Sequence, residues 1–381
     1  MVEFHLPEKT LFGEGAVGNL GKEAGRFSRK CFVMSYGRTR GNRDWDRIQR
    51  ILADAEISAV RFQDVEADPS IQTIDRAAEL MKSEECGAII AIGGGSVLDA
   101  AKAVALLQTN PGSARDYQMG NKQIANATAP VIAVPTTAGT GSEATKITVI
   151  TNKEEHIKKS IVHPYLVPRV AIVDPALMIS VPPAVTAATG TDALAHSLEA
   201  YVSTGSHAFT DAVAERGVEL VAGNLEAACR NGTDMTARAN MAFASYLGGL
   251  ALNAGAGLGH LLAHPLGAIG KIPHGEALAV IMVQVMRANL GHAAGKYARL
   301  APYLAGKDVS GLDETGRAEA AVDGVAGLLR RIGLTRTLKD YGVTEKDFPA
   351  MVESAHKSTF HIKTNPRPVD DALLLEVLGK S

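Results

Sequence analysis

Only three cysteines occur in 381 residues. Cys31, Cys86 and Cys229 lie far apart, are odd in number and lack CxxC spacing, which excludes a zinc knuckle and fits reduced, structural thiols. An excess of one charge is also missing: 39 basic side chains face 41 acidic ones, for a formal net charge of −2. That balance gives no general attraction to nucleic acid or anionic lipid. No uninterrupted apolar run is long enough to span a membrane. The opening Met1-Val-Glu-Phe-His-Leu-Pro lacks the basic-then-apolar pattern of a secretory signal, so the cytoplasm is the expected location. What remains is 46% hydrophobic and 21% charged, an ordinary composition for a soluble enzyme. Single cores stop growing at about 250–300 residues, so two domains are expected.

What the chain does have is strands that end in glycine. Residues 30–36 form a short apolar run closing at Gly37, predicted to be a buried parallel strand. The spacing of Trp45, Ile48, Ile51 and Leu52 predicts a helix over 43–55, and 59–62 reads as a second strand. A helix is expected over 71–84, with Ile71, Ile74, Ala77, Ala78 and Met81 on one side. Residues 88–92 (Ala-Ile-Ile-Ala-Ile) are the strongest strand pattern and run directly into Gly93-Gly94-Gly95-Ser96-Val97-Leu98-Asp99-Ala100-Ala101-Lys102. Strands alternating with helices of this length imply right-handed βαβ units and a parallel sheet. Glycines at such a turn let the backbone approach a pyrophosphate, and free N–H groups at the helix start attract its charge. The segment also reads as a tight structural turn capped by Ser96 or Asp99, and it is not the GxGxxG fingerprint.

A second apolar strand over 129–134 leads into Pro135-Thr136-Thr137-Ala138-Gly139-Thr140-Gly141-Ser142-Glu143-Ala144. Its hydroxyls and glycines suit contacts to phosphate, ribose or carboxamide oxygens, although Thr/Ser/Gly loops are common. The pairing is what informs: two such loops at neighbouring strand ends make the crevice in which open α/β sheets bind ligands. A hairpin-like or meandering section follows over 149–174 and closes in a strand at 169–173. Pro182-Pro183 mark a boundary. Beyond it come alanine-rich helical patterns, for example 209–229, 238–252 and 318–332. The expected organisation is an α/β nucleotide-binding domain over 1–180 and an all-helical metal and substrate domain over 181–381.

Four of the eleven histidines and one carboxylate fall in two clusters of the second half. Asp192 and His196 are spaced i, i+4 in a stretch of good helix formers, so both face one point. His260 and His264 repeat the spacing, and His274 follows behind Pro273. A carboxylate with two or three imidazoles from separate helices suits Fe(II) or Zn(II). A histidine on an apolar face is also an ordinary hydrogen-bonded core residue, and the spacing does not choose between His260 and His264 as ligands.

Together these pieces resemble the iron-containing (group III) alcohol dehydrogenase family. The matching motifs are GGGSVLDAAK at 93–102, PTTAGTGSEAT at 135–145, VAIVDPAL at 170–177 and TAATGTDALAHSLEAYVS at 186–203. GHLLAHPLGAIGKIPHG at 259–275 and NPRPV at 365–369 complete the family's order across essentially the whole chain. The resemblance implies an α/β dinucleotide-binding domain with a parallel sheet, followed by an all-α metal-binding domain, in a dehydroquinate synthase-like architecture. It implies an active site in the cleft between them. It assigns Asp192, His196, His260 and His274 as metal ligands, and places His264 beside the substrate without ligating. Fe(II) is the family's usual ion, with Zn(II) in some members. The implied reaction is reversible hydride transfer between a nicotinamide cofactor and a small alcohol or aldehyde, with the metal as Lewis acid and His264 as a proton relay. Gly93, Gly94, Gly95, Ser96, Asp99, Thr136, Thr137 and Ser142 match the family's cofactor loops, and Lys159 matches a lysine that reaches the cofactor ribose. The family also implies a homodimer or larger homo-oligomer.

Cofactor choice turns on Ser35-Tyr36-Gly37-Arg38-Thr39-Arg40-Gly41. NAD-using members carry an Asp after the first strand, where this chain has Tyr36-Gly37. With Arg38 and Arg40 available to pair with a 2′-phosphate, NADP(H) is expected over NAD(H). Two neighbouring activities remain as alternatives: a glycerol dehydrogenase-like polyol oxidoreductase and a dehydroquinate synthase-like lyase. The DALAH and HPLGA motifs fit the dehydrogenases better than the lyases.

Overall fold

The computed structural model describes residues 1–36, 43–155 and 157–381. The chain forms two compact units: His5–Thr137 with Gly141–Ile179, and Ser180–Ser381 with Met1–Phe4 and Ala138–Thr140. The first is α/β and the second is helical.

The α/β unit contains strands β1 (Lys9–Phe12), β2 (Lys30–Ser35), β3 (Ser58–Phe62), β4 (Ala88–Gly93), β5 (Val131–Pro135), β6 (Ile147–Asn152), β7 (Ile157–Val162) and β8 (Val170–Val173). Its helices are α1 (Leu20–Gly25), α2 (Arg43–Asp54), α3 (Ile71–Ser83), α4 (Gly95–Thr109) and α5 (Ala114–Gln118). Six strands form an all-parallel sheet in the order β1-β8-β5-β4-β2-β3. Parallel sheets are covered on both faces, which is why these strands are continuous apolar runs. Along β2 the pleat sends Phe32 and Met34 to one core, with Ile74 and Met81 of α3 and Leu98 of α4. Cys31 and Val33 go to the other, with Trp45, Ile48 and Leu52 of α2.

The expected strands and helices of this unit are present, with shifted ends. The strand expected from residue 129 begins at Val131, because Pro130 has no N–H for a ladder. Strand β1 was not legible in the sequence. It has four residues, is half-exposed and sits at the sheet edge against β8. The meandering section resolves into an antiparallel β6–β7 hairpin outside the main sheet. Asp174, in the VAIVDPAL motif, is fully buried and ties β8 to the start of the chain by accepting from Gly15 and Val17 N–H at 3.1 and 3.2 Å.

One buried cation holds the hairpin to α4. Lys102 Nζ donates to Thr145 Oγ1 at 2.9 Å and to the carbonyls of Thr145 and Ile147 at 3.2 and 2.7 Å. It lies 4.0 Å from Asp99, and burial pulls its pKa down to about 8 against the pull of Asp99 and Glu143. Burial pushes the neighbouring Glu143 carboxyl up to about 7.

The helical unit contains α6 (Pro183–Val202), α7 (Ala208–Arg230), α8 (Met235–Ala251), α9 (Leu258–Ala268), α10 (His274–Leu304), α11 (Glu314–Arg331), α12 (Phe348–His356), α13 (Thr359–Thr364) and α14 (Asp371–Gly379). Pro183 at the first turn of α6 costs no hydrogen bond, since that N–H has no intrahelical partner. Helix α6 is the axis of the unit and is buried along most of its length. Its neighbours approach closely because glycines remove the side chains in between. A Cβ on Gly190 would strike Leu225 of α7, one on Gly217 would strike Ser197 of α6, and one on Gly275 would strike the Ala188 backbone. By length and composition α10 is apolar enough to cross a membrane. Half of its most apolar stretch is buried inside the unit, as expected of a core helix.

Candidate active site

Asp192 stands on α6 with one carboxylate oxygen at the centre of an imidazole cluster. Oδ1 lies 3.6 Å from His196 Nε2, 3.5 Å from His260 Nε2 and 3.6 Å from His274 Nε2. The i, i+4 spacing on α6 brings His196 to Asp192, and α9 supplies His260. His274 is the first residue of α10, and the missing side chain of Gly275 lets that turn lie on Ala188 of α6. The tightest set of donor atoms is Asp192, His260 and His274, mutually within 4.8 Å. His196 lies beside them, its ring stacked on His260 with centroids 4.5 Å apart.

These donors fit a divalent ion. Bonds of about 2.1 Å in tetrahedral geometry put ligand atoms roughly 3.4 Å apart, close to the separations around Asp192 Oδ1. Asp192 Oδ1 and His260 Nε2 are buried and make no hydrogen bond. Buried polar atoms without partners are costly, and a cation among them would satisfy them. Burial would raise the Asp192 carboxyl, but the imidazoles of His196, His260 and His274 outweigh it and hold it well below the carboxylate range. Burial lowers His196 to about 4, so this ring is neutral and has a lone pair to give.

His260 is anchored from behind. Glu199, one turn beyond His196 on α6, has Oε2 3.0 Å from His260 Nδ1. The same carboxylate accepts Gly257 N–H at 2.6 Å and His260 N–H at 3.2 Å, capping the start of α9. A Cβ on Gly259 would collide with Glu199 Oε1, so the glycine before His260 makes room for this contact. Burial opposes a charged His260, but Glu199 and Asp192 outweigh it and lift its pKa to about 10.

His264, one turn further along α9, lies outside the tight donor set. Its ring centroid is 6.1 Å from that of His274 and 5.3 Å from that of His361 on α13. Geometry thus separates the two α9 histidines that spacing left equivalent.

In the α/β unit the strand order reverses between β2 and β4, since β3 lies on one side of β2 and β4 on the other. Open sheets bind ligands outside the carboxyl ends of strands at such a switch point. Tyr36 stands at the end of β2, and Gly93 to Gly95 run from the end of β4 into α4. The turn is tight: a Cβ on Gly94 would lie 3.1 Å from Thr137 Oγ1 and 3.5 Å from the Tyr36 hydroxyl. A backbone bare at this point, under the free N–H groups of a 15-residue helix, fits a pyrophosphate. The neighbouring loop is in register with it, Gly93 pairing with Pro135 and Thr136 N–H donating to Gly93 O at 2.9 Å.

Asp99 and Ser142 are turned towards each other. The Ser142 hydroxyl donates to Asp99 Oδ1 at 2.5 Å, and Asp99 Oδ2 accepts Val149 N–H at 3.0 Å. The Ser96 hydroxyl accepts Asp68 N–H at 3.3 Å. Lys159 lies on β7, paired with Ile150. Arg38 and Arg40 lie outside the described residues.

A family model for iron-containing alcohol dehydrogenase matches residues 7–175, and one for the C-terminal part of the Fe-containing alcohol dehydrogenase family matches 186–381. The chain belongs to the iron-containing alcohol dehydrogenase family. It is 37% identical to alcohol dehydrogenase 4 of Schizosaccharomyces pombe over 97% of this chain and 86% of that protein. It is 34% identical to an NAD-dependent methanol dehydrogenase of Bacillus methanolicus over 96% of each chain. A crystal structure of a 1,3-propanediol oxidoreductase superposes with a TM-score of 0.95 at 35% identity, covering 100% of this chain and 99% of the other.

Two residues beside the Asp192 cluster of this member of the iron-containing alcohol dehydrogenase family were missed by sequence reasoning. Glu199 had a signal, since it lies seven residues after Asp192 and three after His196 on the same helix. His361 had none, because only tertiary packing brings α13 to His260 and His264.

Proposed function

We propose that this chain is a metal-dependent, nicotinamide-linked alcohol dehydrogenase that interconverts small alcohols and aldehydes. The observation that carries the reading is the convergence of Asp192, His260 and His274 on one buried point, with His196 stacked alongside. In this reading residues 1–180 hold the nucleotide and residues 181–381 hold metal and substrate.

Asp192, His196, His260 and His274 would hold the ion, Fe(II) in the first instance with Zn(II) also accommodated by this donor set. A divalent ion there supplies Lewis acidity to the substrate oxygen, and a nicotinamide supplies or accepts the hydride. The remaining work belongs to the chain. Glu199 fixes the orientation of the His260 ring, so that Nε2 faces Asp192 Oδ1 and would be available to an ion held there. His264 carries a proton between the substrate oxygen and solvent. Gly93, Gly94 and Gly95 receive the pyrophosphate, with Tyr36, Ser96, Thr136 and Thr137 around it. Asp99 and Ser142 brace the loop, and Lys159 reaches for the ribose.

The preference for NADP(H) over NAD(H) rests on Arg38, Arg40 and the absence of an acid after β2. Against it stands the Bacillus methanolicus relative, whose name gives NAD. A homodimer or larger assembly and a cytoplasmic location complete the reading.

The test is anaerobic oxidation of NADH and NADPH with short aldehydes, using chelator-stripped protein before and after adding Fe(II) or Zn(II). Metal-restored activity is expected, with NADPH the faster donor. Activity indifferent to metal would remove the Lewis-acid role, and NADH as the faster donor would remove the Arg38–Arg40 argument.

A further inference from the structure

His361 is buried beside the metal cluster without belonging to it. Its ring lies parallel to that of His260, with centroids 6.4 Å apart, and edge-on to that of His264 at 5.3 Å. The short helix α13 that carries it is fastened at several points. The Thr364 hydroxyl donates to Ala256 O, Thr204 N–H donates to Thr364 O at 3.0 Å, and Thr204 Oγ1 donates to Lys363 O at 2.9 Å. Gly255, at φ +87°, leaves room for Thr364 and Phe360 where a Cβ would not. Asn365, which follows, accepts Leu258 N–H at 3.2 Å and exchanges hydrogen bonds with Asn289. His361 is therefore presented by a fixed wall.

The ring itself is oriented by Ser358, whose Oγ lies 2.6 Å from Nδ1. A Ser358 hydroxyl that donates to Nδ1 selects the tautomer with the ring hydrogen on Nε2, a nitrogen with no hydrogen-bond partner among the described residues. A buried ring nitrogen held in place and unanswered by the protein is a group suited to meet a ligand oxygen. The first oxygen of a substrate belongs at the Asp192–His260–His274 cluster. His361 lies one layer beyond His260, where it would meet the substrate's carbon chain and its substituents.

Building on the dehydrogenase reading, we infer that His361 is a specificity-determining residue. Its Nε2–H donates to a second substrate oxygen and so favours short aldehydes hydroxylated one or two carbons from the carbonyl over plain alkanals. His264, edge-on to it at 5.3 Å, is the neighbouring polar side chain.

The experiment compares kcat/KM for glycolaldehyde and 3-hydroxypropanal with that for propanal, in the metal-loaded wild type, H361F, H361N and S358A. The hydroxyaldehyde-to-propanal ratio should fall about tenfold or more in H361F, the scale of one hydrogen bond left unmade. It should fall less in S358A, which frees the ring without removing it. Metal content measured by elemental analysis should match wild type in all variants, because His361 is not a ligand. H361N keeps a side-chain donor of smaller volume and reports on the site if H361F does not fold. An unchanged ratio, or an equal loss on all three aldehydes, overturns the assignment, as does loss of metal in step with activity. If wild type reduces no aldehyde at all, it is the dehydrogenase reading that fails.

Discussion

Glu199 Oε2 sits 3.0 Å from Nδ1 of His260, the nitrogen opposite the one that faces Asp192. A carboxylate behind an imidazole fixes both its tautomer and its direction, and in the proposed site that imidazole would be a metal ligand. Replacing it by glutamine leaves the shape but removes the charge and one acceptor. E199Q should weaken metal binding by about 10- to 100-fold, read by competition with a chelator of known affinity. An affinity equal to wild type would mean that the α9 cap is its only role.

Asp192 and His264 should behave differently when replaced. D192N removes the negative charge on which three imidazoles converge, and is expected to leave the protein with little or no metal after dialysis. H264N should keep its metal yet lose turnover by about 10²–10⁴-fold, the range for a general acid–base group. If metal and activity fall together in H264N, the relay role has to be abandoned.

The close approach of α10 to α6 depends on Gly275, whose Cβ position is filled by the Ala188 backbone. Backbone cannot rotate away as a side chain does, so G275A should separate the two helices and carry His274 off the cluster. A loss of about 1–3 kcal/mol is expected from overpacking, measured as the urea midpoint with the m-value unchanged. Metal affinity should drop in the same variant.

Glu66 makes an acid-sensitive brace at the start of α3. It accepts from Ser70 N–H at 3.2 Å and Ser70 Oγ at 2.6 Å. Burial would raise its carboxyl, but the hydrogen bonds from Ser70 and its neighbours outweigh it and lower the pKa from 4.5 to about 2. A folded value below the unfolded one means stability that is present above pH 4.5 and lost as pH falls towards 2. E66Q should show a flatter fall in urea midpoint between pH 5.5 and pH 3 than wild type. Identical slopes would remove Glu66 from the acid response.

Much of the α/β unit was legible because parallel strands leave continuous apolar runs and their turns leave glycines. The edge strand Lys9–Phe12 left neither, being short and half-exposed. At the site, the helix period alone joined Asp192 to His196. It could not separate His260 from His264, because that distinction depends on where α6 and α10 lie rather than on spacing. His361 was invisible for a related reason: one residue in a six-residue helix, placed by Ala256, Thr204 and Asn289 from distant parts of the chain. Several residues of the glycine-loop motifs also proved to serve the protein itself. Asp99 and Ser142 bond each other, which residue type alone does not distinguish from contact with a nucleotide.

Lys102 gives the α/β unit a chemical reporter. Its amine is sealed behind Thr145 and Ile147, so an acylating reagent in solution reaches it only when α4 and the β6–β7 hairpin come apart. Surface lysines would be modified at once and this one on the timescale of opening. Its labelling rate, followed by mass spectrometry of a single peptide, would therefore clock the breathing of the α/β unit without any signal from the helical one.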